Sequence, residues 1–283
     1  MWQILGRRIE FGARALVMGV VNVTPDSFSD GGQFLDPERA VDHALRLVED
    51  GADLLDLGAE STRPGALPVD EAEELARLIP VVTQVASRVA VPISVDTMKA
   101  SVARAALAAG ASIVNDVTAL RGDPEMAAVV AQTGAGVVLM HMQGTPRTMQ
   151  ADPSYKDVVR EVGEFFDARL AVAEQAGIAK TQIALDPGIG FGKLQEHNVA
   201  LLTHLPALTA RRCPVLVGVS RKAFLGKILD RPVGERLWGT AAAVALAAAR
   251  GAAIVRVHDV KAMLDVVKVV AALSAARNEG TYA

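Results

Sequence analysis

Residues 36–58 read DPERAVDHALRLVEDGADLLDLG and place a helix directly before a buried strand. Asp36 is a typical N-cap, Pro37 suits the first helical turn, and Gly51 follows the last apolar residue of the helical pattern. The run Asp53–Gly58 is short and largely apolar, which is typical of a strand that is buried on both faces. The segment therefore predicts one helix and the next strand of a chain in which strands and helices alternate.

The same kind of apolar run occurs eight times, and helical patterns separate consecutive runs. The predicted strands are Leu16–Asn22, Asp53–Gly58, Pro92–Asp96, Ser112–Asn115, Gly136–His141, Gln182–Asp186, Pro214–Val219 and Ala253–Val257. This alternation predicts an α/β fold with a parallel sheet. A (β/α)8 TIM barrel of about 250 residues accounts for most of the chain, and an open doubly wound sheet is the alternative. We predict one domain over residues 1–283.

Signals at the ends of elements add detail to this barrel. Residues Trp2–Ala15 precede the first strand and contain two glycine turns, which predicts a hairpin that covers the bottom of the barrel. The triplet Asp123-Pro124-Glu125 predicts the start of a helix, and another helix is expected to begin at Thr97.

Composition excludes several classes of function. Hydrophobic residues make up 51% of the chain and aromatic residues only 4%, so the core is expected to consist of Val, Leu, Ile and Ala. A net charge of -3 gives no field that would attract nucleic acid or an anionic membrane. The single cysteine, Cys213, excludes an intramolecular disulfide. Arg7, Arg8 and Glu10 interrupt the stretch that a signal peptide would need, so we expect a cytoplasmic protein without membrane spans.

Polar side chains stand at or just after the end of nearly every predicted strand. They are Asn22, Glu60, Asp96, Asn115, Asp116, His141, Asp186, Ser220, Arg221, Lys222, Arg256 and His258. Any one of them alone is better explained as a helix N-cap. Because barrel enzymes place their active sites at the C-terminal ends of the strands, the full set predicts an active site there.

Three of these residues suit a heterocyclic ligand. Asp96, Asn115 and Asp186 supply hydrogen-bond acceptors, and Asn115 adds an amide donor. Such a set matches the adjacent ring and amino N–H groups of a 2-amino-4-oxo heterocycle.

A second subset suits an anion. Arg256 and His258 follow the last strand and Asn22 ends the first, and these two strands are neighbours in a closed barrel. The glycine-rich segment Gly188–Lys193 matches neither a P-loop nor a dinucleotide-binding turn, because Leu194 stands where a P-loop needs Ser or Thr. We expect its glycines to permit close backbone approach beside Asp186 and to present Phe191 to a ligand.

Five longer motifs occur along the chain, from the first strand to the eighth. They are residues 22–32 (NVTPDSFSDGG), 60–65 (ESTRPG), 186–193 (DPGIGFGK), 220–222 (SRK) and 256–259 (RVHD). Together they resemble the motifs of one family, the dihydropteroate synthases, and the resemblance covers essentially the whole chain.

The resemblance implies a role for each matching position. It implies that the pterin is bound by Asp96, Asn115, Met140, Asp186, Phe191, Gly218, Lys222 and Arg256. Pyrophosphate would be bound by Asn22, Arg256 and His258, and Asn22 would help to place Mg²⁺. The 4-aminobenzoate site would contain Thr62, Arg63, Pro64, Phe191 and Lys222. Catalytic roles would fall to Asp96, Asp186, Lys222, Arg256 and His258.

The resemblance also implies the reaction. A dihydropterin diphosphate would condense with 4-aminobenzoate by substitution at an exocyclic CH₂, without a protein nucleophile and with Mg²⁺ as cofactor. It further implies a homodimer and a sulfonamide target. One position departs from the family pattern: many relatives have Ser after the Ser-Arg-Lys motif, whereas this chain has Ala223, so only a backbone N–H remains there for the substrate carboxylate.

Three alternatives share parts of this pattern. A corrinoid-linked pterin methyltransferase would share Asp96, Asn115 and Asp186 but has no need of the Arg256 and His258 pair. A Schiff-base aldolase would use Lys222 as its nucleophile. A pterin-binding paralogue without activity would not need the intact set of site residues.

Overall fold

A computed structural model describes residues 1–24, 37–62 and 65–278. At residues 277 and 278 it describes the backbone only. Ten strands are described: β1 Trp2–Ile4, β2 Arg7–Ile9, β3 Leu16–Asn22, β4 Leu54–Gly58, β5 Ile93–Asp96, β6 Ile113–Asp116, β7 Gly136–Met140, β8 Ile183–Asp186, β9 Leu216–Gly218 and β10 Ile254–Val257. The helices are α1 Pro37–Glu49, α2 Glu71–Ala86, α3 Ala100–Ala108, α4 Met126–Thr133, α5 Val158–Gln175, α6 Gln195–Thr203, α7 Pro206–Thr209, α8 Ala223–Leu229, α9 Leu237–Ala249 and α10 Val260–Asn278. The predicted N-cap Asp36 lies outside the described residues.

Strands β3 to β10 form one parallel sheet that closes into a barrel. The order is β8-β7-β6-β5-β4-β3-β10-β9, and a parallel bridge between Leu185 and Val215 joins the two ends. The Leu185 amide donates to the Pro214 carbonyl oxygen at 2.9 Å. This ring of eight strands with helices between them confirms the predicted TIM barrel and excludes the open doubly wound sheet.

The N-terminal hairpin closes the bottom of the barrel, as predicted. Strands β1 and β2 pair antiparallel, and Trp2 is fully buried with its indole Nε1 donating to the Gln182 carbonyl oxygen at 2.8 Å. Trp2 and Ile4 pack against one apolar layer that the barrel strands supply: Met18, Leu54, Ile113, Val138, Ala184, Leu216 and Ile254. The bottom half of the interior is therefore sealed, which leaves the C-terminal ends of the strands as the open face.

The larger core lies between the strands and the helices. Helix α1 buries Ala40, Val41, Ala44 and Leu47, and α5 buries Val158, Val162 and Phe166. Each large aliphatic or aromatic side chain buried in this way stabilises the fold by about 1.5–3 kcal/mol. Within the described ranges, no helix has the length and apolarity needed to cross a bilayer.

Two helix starts differ from the sequence prediction. Helix α4 begins at Met126, and Asp123 instead accepts from the Ala100 amide at 2.8 Å, at the first residue of α3. Helix α3 begins at Ala100, three residues after the predicted Thr97, and its N-cap Lys99 makes no side-chain cap. Asp123 Oδ1 also accepts from the amide of Glu125, the N-cap of α4, at 2.9 Å, so the carboxylate serves its own helix start as well as the neighbouring helix. The contact with Ala100 is a tertiary one that local sequence does not encode.

Candidate active site

A pocket at the C-terminal ends of the barrel strands brings together all eight residues that were predicted to bind the pterin. Its lining is Asp96, Asn115, Met140, Asp186, Phe191, Gly218, Lys222 and Arg256, with Val117 and Ile189. These residues converge because parallel strands in a closed barrel all end at the same face. The pocket combines carboxylates, cations and flat apolar walls in a small volume.

Arg256 lies at the centre of the buried charges. Its Nε donates to Asp56 Oδ2 at 2.5 Å, and its Nη2 donates to Asp96 Oδ2 at 3.2 Å. Asn115 Nδ2 donates to the same Asp56 oxygen at 3.1 Å. Burial alone would lower the pKa of Arg256, but the Asp56 and Asp96 carboxylates raise it above its ordinary value. The guanidinium therefore stays charged and fixes both carboxylates.

Three buried acceptor oxygens in this cluster have no hydrogen-bond partner among the described residues. They are Oδ1 of Asp56, of Asp96 and of Asn115. A buried acceptor without a partner costs about 1–3 kcal/mol. Asp96 and Asn115 also line the pocket, so their free oxygens are suited to N–H donors of a ligand.

The charge state of Asp96 depends on its neighbours. Burial, and next the nearby Asp56 carboxylate, raise the pKa of Asp96 to about 7, while Arg256 acts in the opposite direction. A carboxyl group with this pKa changes between the acid and the charged acceptor near neutral pH. Ligand binding at Asp96 is therefore expected to depend on pH.

Asp186 is positioned by the glycine-rich loop that follows it. Its Oδ1 accepts from the Gly188 amide at 2.7 Å. Gly188 has φ +64°, and a Cβ there would lie 1.9 Å from the His141 carbonyl oxygen, so only glycine allows the loop to approach β7 this closely. Burial raises the pKa of Asp186, while the Gly188 hydrogen bond and Lys222 lower it.

The same loop presents Phe191 to Lys222. Lys222 Nζ lies 4.1 Å from the centre of the Phe191 ring, within cation–π distance. Both residues line the pocket, where they form one wall. This agrees with the expectation that the glycines present Phe191 towards a ligand.

Lys193 holds the glycine-rich loop against the segment that follows β7. The sequence motif did not indicate this role. Lys193 is buried, and its Nζ donates to His141 Nδ1 at 2.9 Å, to the His141 carbonyl oxygen at 3.2 Å and to the Phe191 carbonyl oxygen at 2.9 Å. Burial lowers the pKa of Lys193 to about 7 and, together with the Lys193 charge, lowers that of His141 to about 2. A neutral His141 is thus the acceptor of the Lys193 hydrogen bond.

Of the three predicted anion-binding residues, Arg256 lines the pterin pocket, whereas Asn22 and His258 lie outside its lining. Asn22 ends β3 and is half-buried, and His258 follows β10, the strand that pairs with β3. His258 lines a separate cavity of about 350 Å³, where the other charged or titratable side chains are His43, Arg46, Asp50, Asp259 and Lys261.

The predicted aminobenzoate residues are only partly described. Thr62 is half-buried, whereas Arg63 and Pro64 lie outside the described residues. The preceding residue Glu60 accepts from Lys99 Nζ at 2.5 Å, and Lys99 also binds the buried Glu74. This ion network fixes the beginning of the segment that carries Thr62.

Asp56 is a buried polar residue that the pattern of polar side chains at strand ends did not predict. It lies in the middle of β4, fully buried, two residues before the strand ends. A usable signal exists in the sequence: a lone carboxylate in the run Leu54-Leu55-Asp56-Leu57 alternates with side chains that face the helices. An acidic residue at an inward position of an apolar barrel strand predicts a buried cationic partner.

Comparison with known proteins gives one consistent family. The model of the family described as pterin binding enzyme matches residues 18–258. The dihydropteroate synthase of Synechocystis sp. is 49% identical over 265 residues, which cover 93% of this chain and 92% of that protein.

Solved structures agree in both fold and sequence. The Xanthomonas albilineans dihydropteroate synthase with 4-aminobenzoic acid is 50% identical, with a TM-score of 0.90 over 96% of this chain and 98% of that one. The same enzyme in complex with 7,8-dihydropteroate has a TM-score of 0.84 and 49% identity, with 93% and 94% coverage. The Yersinia pestis dihydropteroate synthase with a sulfonamide drug complex has a TM-score of 0.90 and 45% identity, with 95% and 98% coverage. The chain therefore belongs to the dihydropteroate synthase family of pterin-binding enzymes.

Proposed function

We propose that this protein condenses 6-hydroxymethyl-7,8-dihydropterin diphosphate with 4-aminobenzoate to give 7,8-dihydropteroate and pyrophosphate. The observation that carries the proposal is the pair of free, buried acceptor oxygens of Asp96 and Asn115 in the pterin pocket. A 2-amino-4-oxo pterin offers adjacent N–H donors to such acceptors. The enzyme would thus be a transferase that moves a pterinylmethyl group to an amine.

The pterin ring would lie in the pocket lined by all eight predicted residues. Asp96, Asn115 and Asp186 would accept hydrogen bonds from its N–H groups, and Met140 and Phe191 would contact its faces. Lys222 and Arg256 would contact ring atoms that accept hydrogen bonds. The tight packing of charges around Arg256 supports a site that is organised before the substrate binds.

The diphosphate would extend from the pterin pocket towards Asn22, Arg256 and His258. The donor chemistry fits Mg²⁺, because Asn22 offers an amide oxygen and Mg²⁺ prefers oxygen ligands. Among the described residues no cluster of three or more His, Cys, Asp or Glu side chains could hold a metal. Asn22 would therefore hold the ion together with diphosphate oxygens and water. When bound, Mg²⁺ would neutralise charge on the leaving group.

The aminobenzoate would bind beside Phe191 and Lys222, with Thr62, Arg63 and Pro64 on its other side. The contact between Lys222 and Phe191 supports this placement, since it leaves an aromatic face and a cation side by side in the pocket lining. Helix α8 begins at Ala223 and its N-cap Lys222 makes no side-chain cap, so backbone N–H groups at this helix start would receive the carboxylate.

In the reaction the C–O bond to the diphosphate breaks, and its electron pair leaves with the bridging oxygen. The aromatic amine nitrogen bonds to the exocyclic carbon and then loses one proton to solvent or to pyrophosphate. Asp96 and Asp186 would stabilise the cationic pterin, and Arg256 and His258 the departing anion. Lys222 would orient the two rings, and no protein nucleophile is needed.

A turnover assay tests this function directly. The purified protein is incubated with dihydropterin diphosphate, 4-aminobenzoate and Mg²⁺, and 7,8-dihydropteroate is identified by mass spectrometry while pyrophosphate release is measured. Formation of both products in equal amounts supports the proposal. Failure to form 7,8-dihydropteroate from these two substrates would reject it.

We also propose that residues 1–283 form a single domain that assembles as a homodimer in the cytoplasm. Exposed apolar side chains on the packed helices α9 and α10 support the dimer, with Trp238 80% and Leu273 68% exposed. Light scattering after gel filtration tests it, and a monomer mass at micromolar concentration would reject it.

A further inference from the structure

Ser220 and His258 form a close contact between the ends of β9 and β10. The His258 backbone amide donates to Ser220 Oγ at 3.2 Å, and His258 Nδ1 lies 3.0 Å from the same oxygen. Ser220 is buried, with 7% of its surface exposed. One hydroxyl group therefore contacts both the backbone and the ring of His258.

The hydrogens of this contact determine the tautomer of His258. Ser220 Oγ already accepts the His258 amide hydrogen, and its own hydrogen needs an acceptor. Within the described residues, Nδ1 is the acceptor that lies within hydrogen-bond distance of that hydroxyl. If Nδ1 carried the proton instead, Ser220 Oγ would accept twice and its buried hydroxyl hydrogen would have no partner. The arrangement that satisfies every group leaves Nδ1 bare and places the ring proton on Nε2.

The charges around the ring favour the neutral form. Burial, followed by Arg256, Arg221 and Lys222, lowers the pKa of His258 to about 4, and Asp259 opposes this only in part. His258 is therefore uncharged at neutral pH. It can donate a hydrogen bond but cannot contribute a positive charge before an anion binds.

We propose that Ser220 is a positioning residue that holds His258 as the neutral Nε2–H tautomer, so that the ring directs one N–H donor at the leaving diphosphate. The inference rests on the proposed function for the role of His258 as an anion ligand. Ser220 itself does not touch the substrate. Loss of its hydroxyl frees the ring to adopt the other tautomer, which presents a bare nitrogen to an anion.

A second contact across the same junction provides a matched control. Arg221 Nε and Nη2 donate to the two Asp259 carboxylate oxygens at 3.0 and 2.6 Å. The pair Arg221–Asp259 joins the same two chain segments as the pair Ser220–His258, but it does not contact the imidazole. Asp259→Asn therefore loosens the junction without removing the hydroxyl that sets the tautomer.

The experiment measures ring nitrogen chemical shifts in enzyme labelled with ¹⁵N-histidine, with His258 assigned from His258→Gln. Wild type, Ser220→Thr and Asp259→Asn should show a protonated Nε2 and a bare Nδ1, whereas Ser220→Ala should show a mixture of tautomers. Calorimetry with pyrophosphate and Mg²⁺ should show weaker binding for Ser220→Ala by the inverse of the Nε2–H fraction, about twofold for an equal mixture, with affinity retained in Ser220→Thr.

Several results would overturn the proposal. If His258 of the wild-type enzyme is protonated on Nδ1, the proposal is overturned by that result alone, even if Ser220→Ala does not fold. Unchanged chemical shifts and unchanged affinity in Ser220→Ala would also overturn it. So would an Asp259→Asn variant that shows the same mixture of tautomers as Ser220→Ala. Wild-type enzyme that binds pyrophosphate through an Nε2–H His258 but forms no dihydropteroate would instead reject the proposed function and leave the tautomer assignment standing.

Discussion

Arg256 Nε lies 2.5 Å from Asp56 Oδ2, although the two residues are 200 positions apart and their strands, β10 and β4, are separated by β3. The bond reaches past β3 to a residue in the middle of β4. It places a carboxylate that does not line the pocket in direct contact with the central cation of the site.

We predict that Asp56→Asn weakens both the fold and catalysis. Removal of one partner from a buried ion pair costs about 3–5 kcal/mol, and Arg256 would lose the partner that fixes its orientation. Urea unfolding should show a lower free energy of unfolding, and kcat/KM should fall about tenfold or more. Ser94, which pairs in register with Asp56, provides the control Ser94→Ala, which should keep wild-type kcat/KM. Equal activity of Asp56→Asn and wild type would show that the pair is dispensable.

Asp96→Asn and Asp186→Asn are predicted to fold but to lose turnover. Each change replaces a charged acceptor with a neutral amide, and a hydrogen bond to a charged group contributes about 1.5–3 kcal/mol. This corresponds to a loss of about 10- to 150-fold in kcat/KM. The control Asp53→Asn removes a carboxylate that binds Arg14, far along the chain from the pocket residues, and should lower only stability. Near wild-type kcat/KM in both site variants would refute the assignment.

The pH dependence of pterin binding should follow Asp96. Because the pKa of Asp96 is raised to about 7, kcat/KM for the pterin substrate should increase as pH rises through about 7 and the carboxylate forms. Lys193, whose pKa is also lowered to about 7, titrates in the same range. The decisive comparison is therefore Asp96→Asn, which should lose this ascending limb. If the limb persists in that variant, Asp96 is not its source.

The raised pKa of Asp96 also affects the free energy of unfolding. Its contribution to stability should fall as pH rises, whereas kcat/KM should increase. The pKa of Asp96 is about 7 in the folded protein and 3.8 for an ordinary aspartate, so the folded state binds more protons between these two pH values. The stabilisation is complete below about pH 3.8 and is lost as pH rises through about 7. The difference in free energy of unfolding between wild type and Asp96→Asn should change across this window, and a constant difference would contradict the raised pKa.

Lys193→Met is predicted to raise KM for the pterin more than it lowers kcat. The substitution removes three donors and leaves the carbonyl oxygens of His141 and Phe191 without partners, so the Phe191 wall loses its anchor. Steady-state kinetics should show KM increased about tenfold. The exposed Lys227 offers the matched control Lys227→Met, with unchanged KM. A pure loss of kcat in Lys193→Met would contradict a positioning role.

Free enzyme is predicted to bind Mg²⁺ weakly. The proposed protein ligand is Asn22 alone, and Mg²⁺ usually keeps several waters and combines one or two protein ligands with phosphate oxygens. Calorimetry should detect Mg²⁺ binding only after pyrophosphate is added. Tight binding to the protein alone would require a further metal site.

Local sequence signals were enough to predict the barrel and the set of residues at its open face. Strand β3 has the predicted bounds Leu16–Asn22, and the other barrel strands lie within a residue or two of their predicted ends. This is because apolar runs, caps and glycine stops are local signals. Once eight βα repeats close, their C-terminal ends must meet, so the predicted pterin residues share one pocket. Their chemical roles stay predictions.

The partners of the buried polar groups could not be predicted from the sequence, because they depend on how the chain folds in three dimensions. Asp56 with Arg256, Lys193 with His141 and Ser220 with His258 are separated by 200, 52 and 38 residues. Each pair depends on barrel closure, on strand register and on the path of a loop, and none of these leaves a periodic signal in the sequence. The bond from the Ala100 amide to Asp123, which joins α3 to the segment before α4, has the same origin. A buried polar group pairs with whichever partner the closed fold brings within about 3 Å. An unpaired buried polar group costs more free energy than the difference between one partner and another.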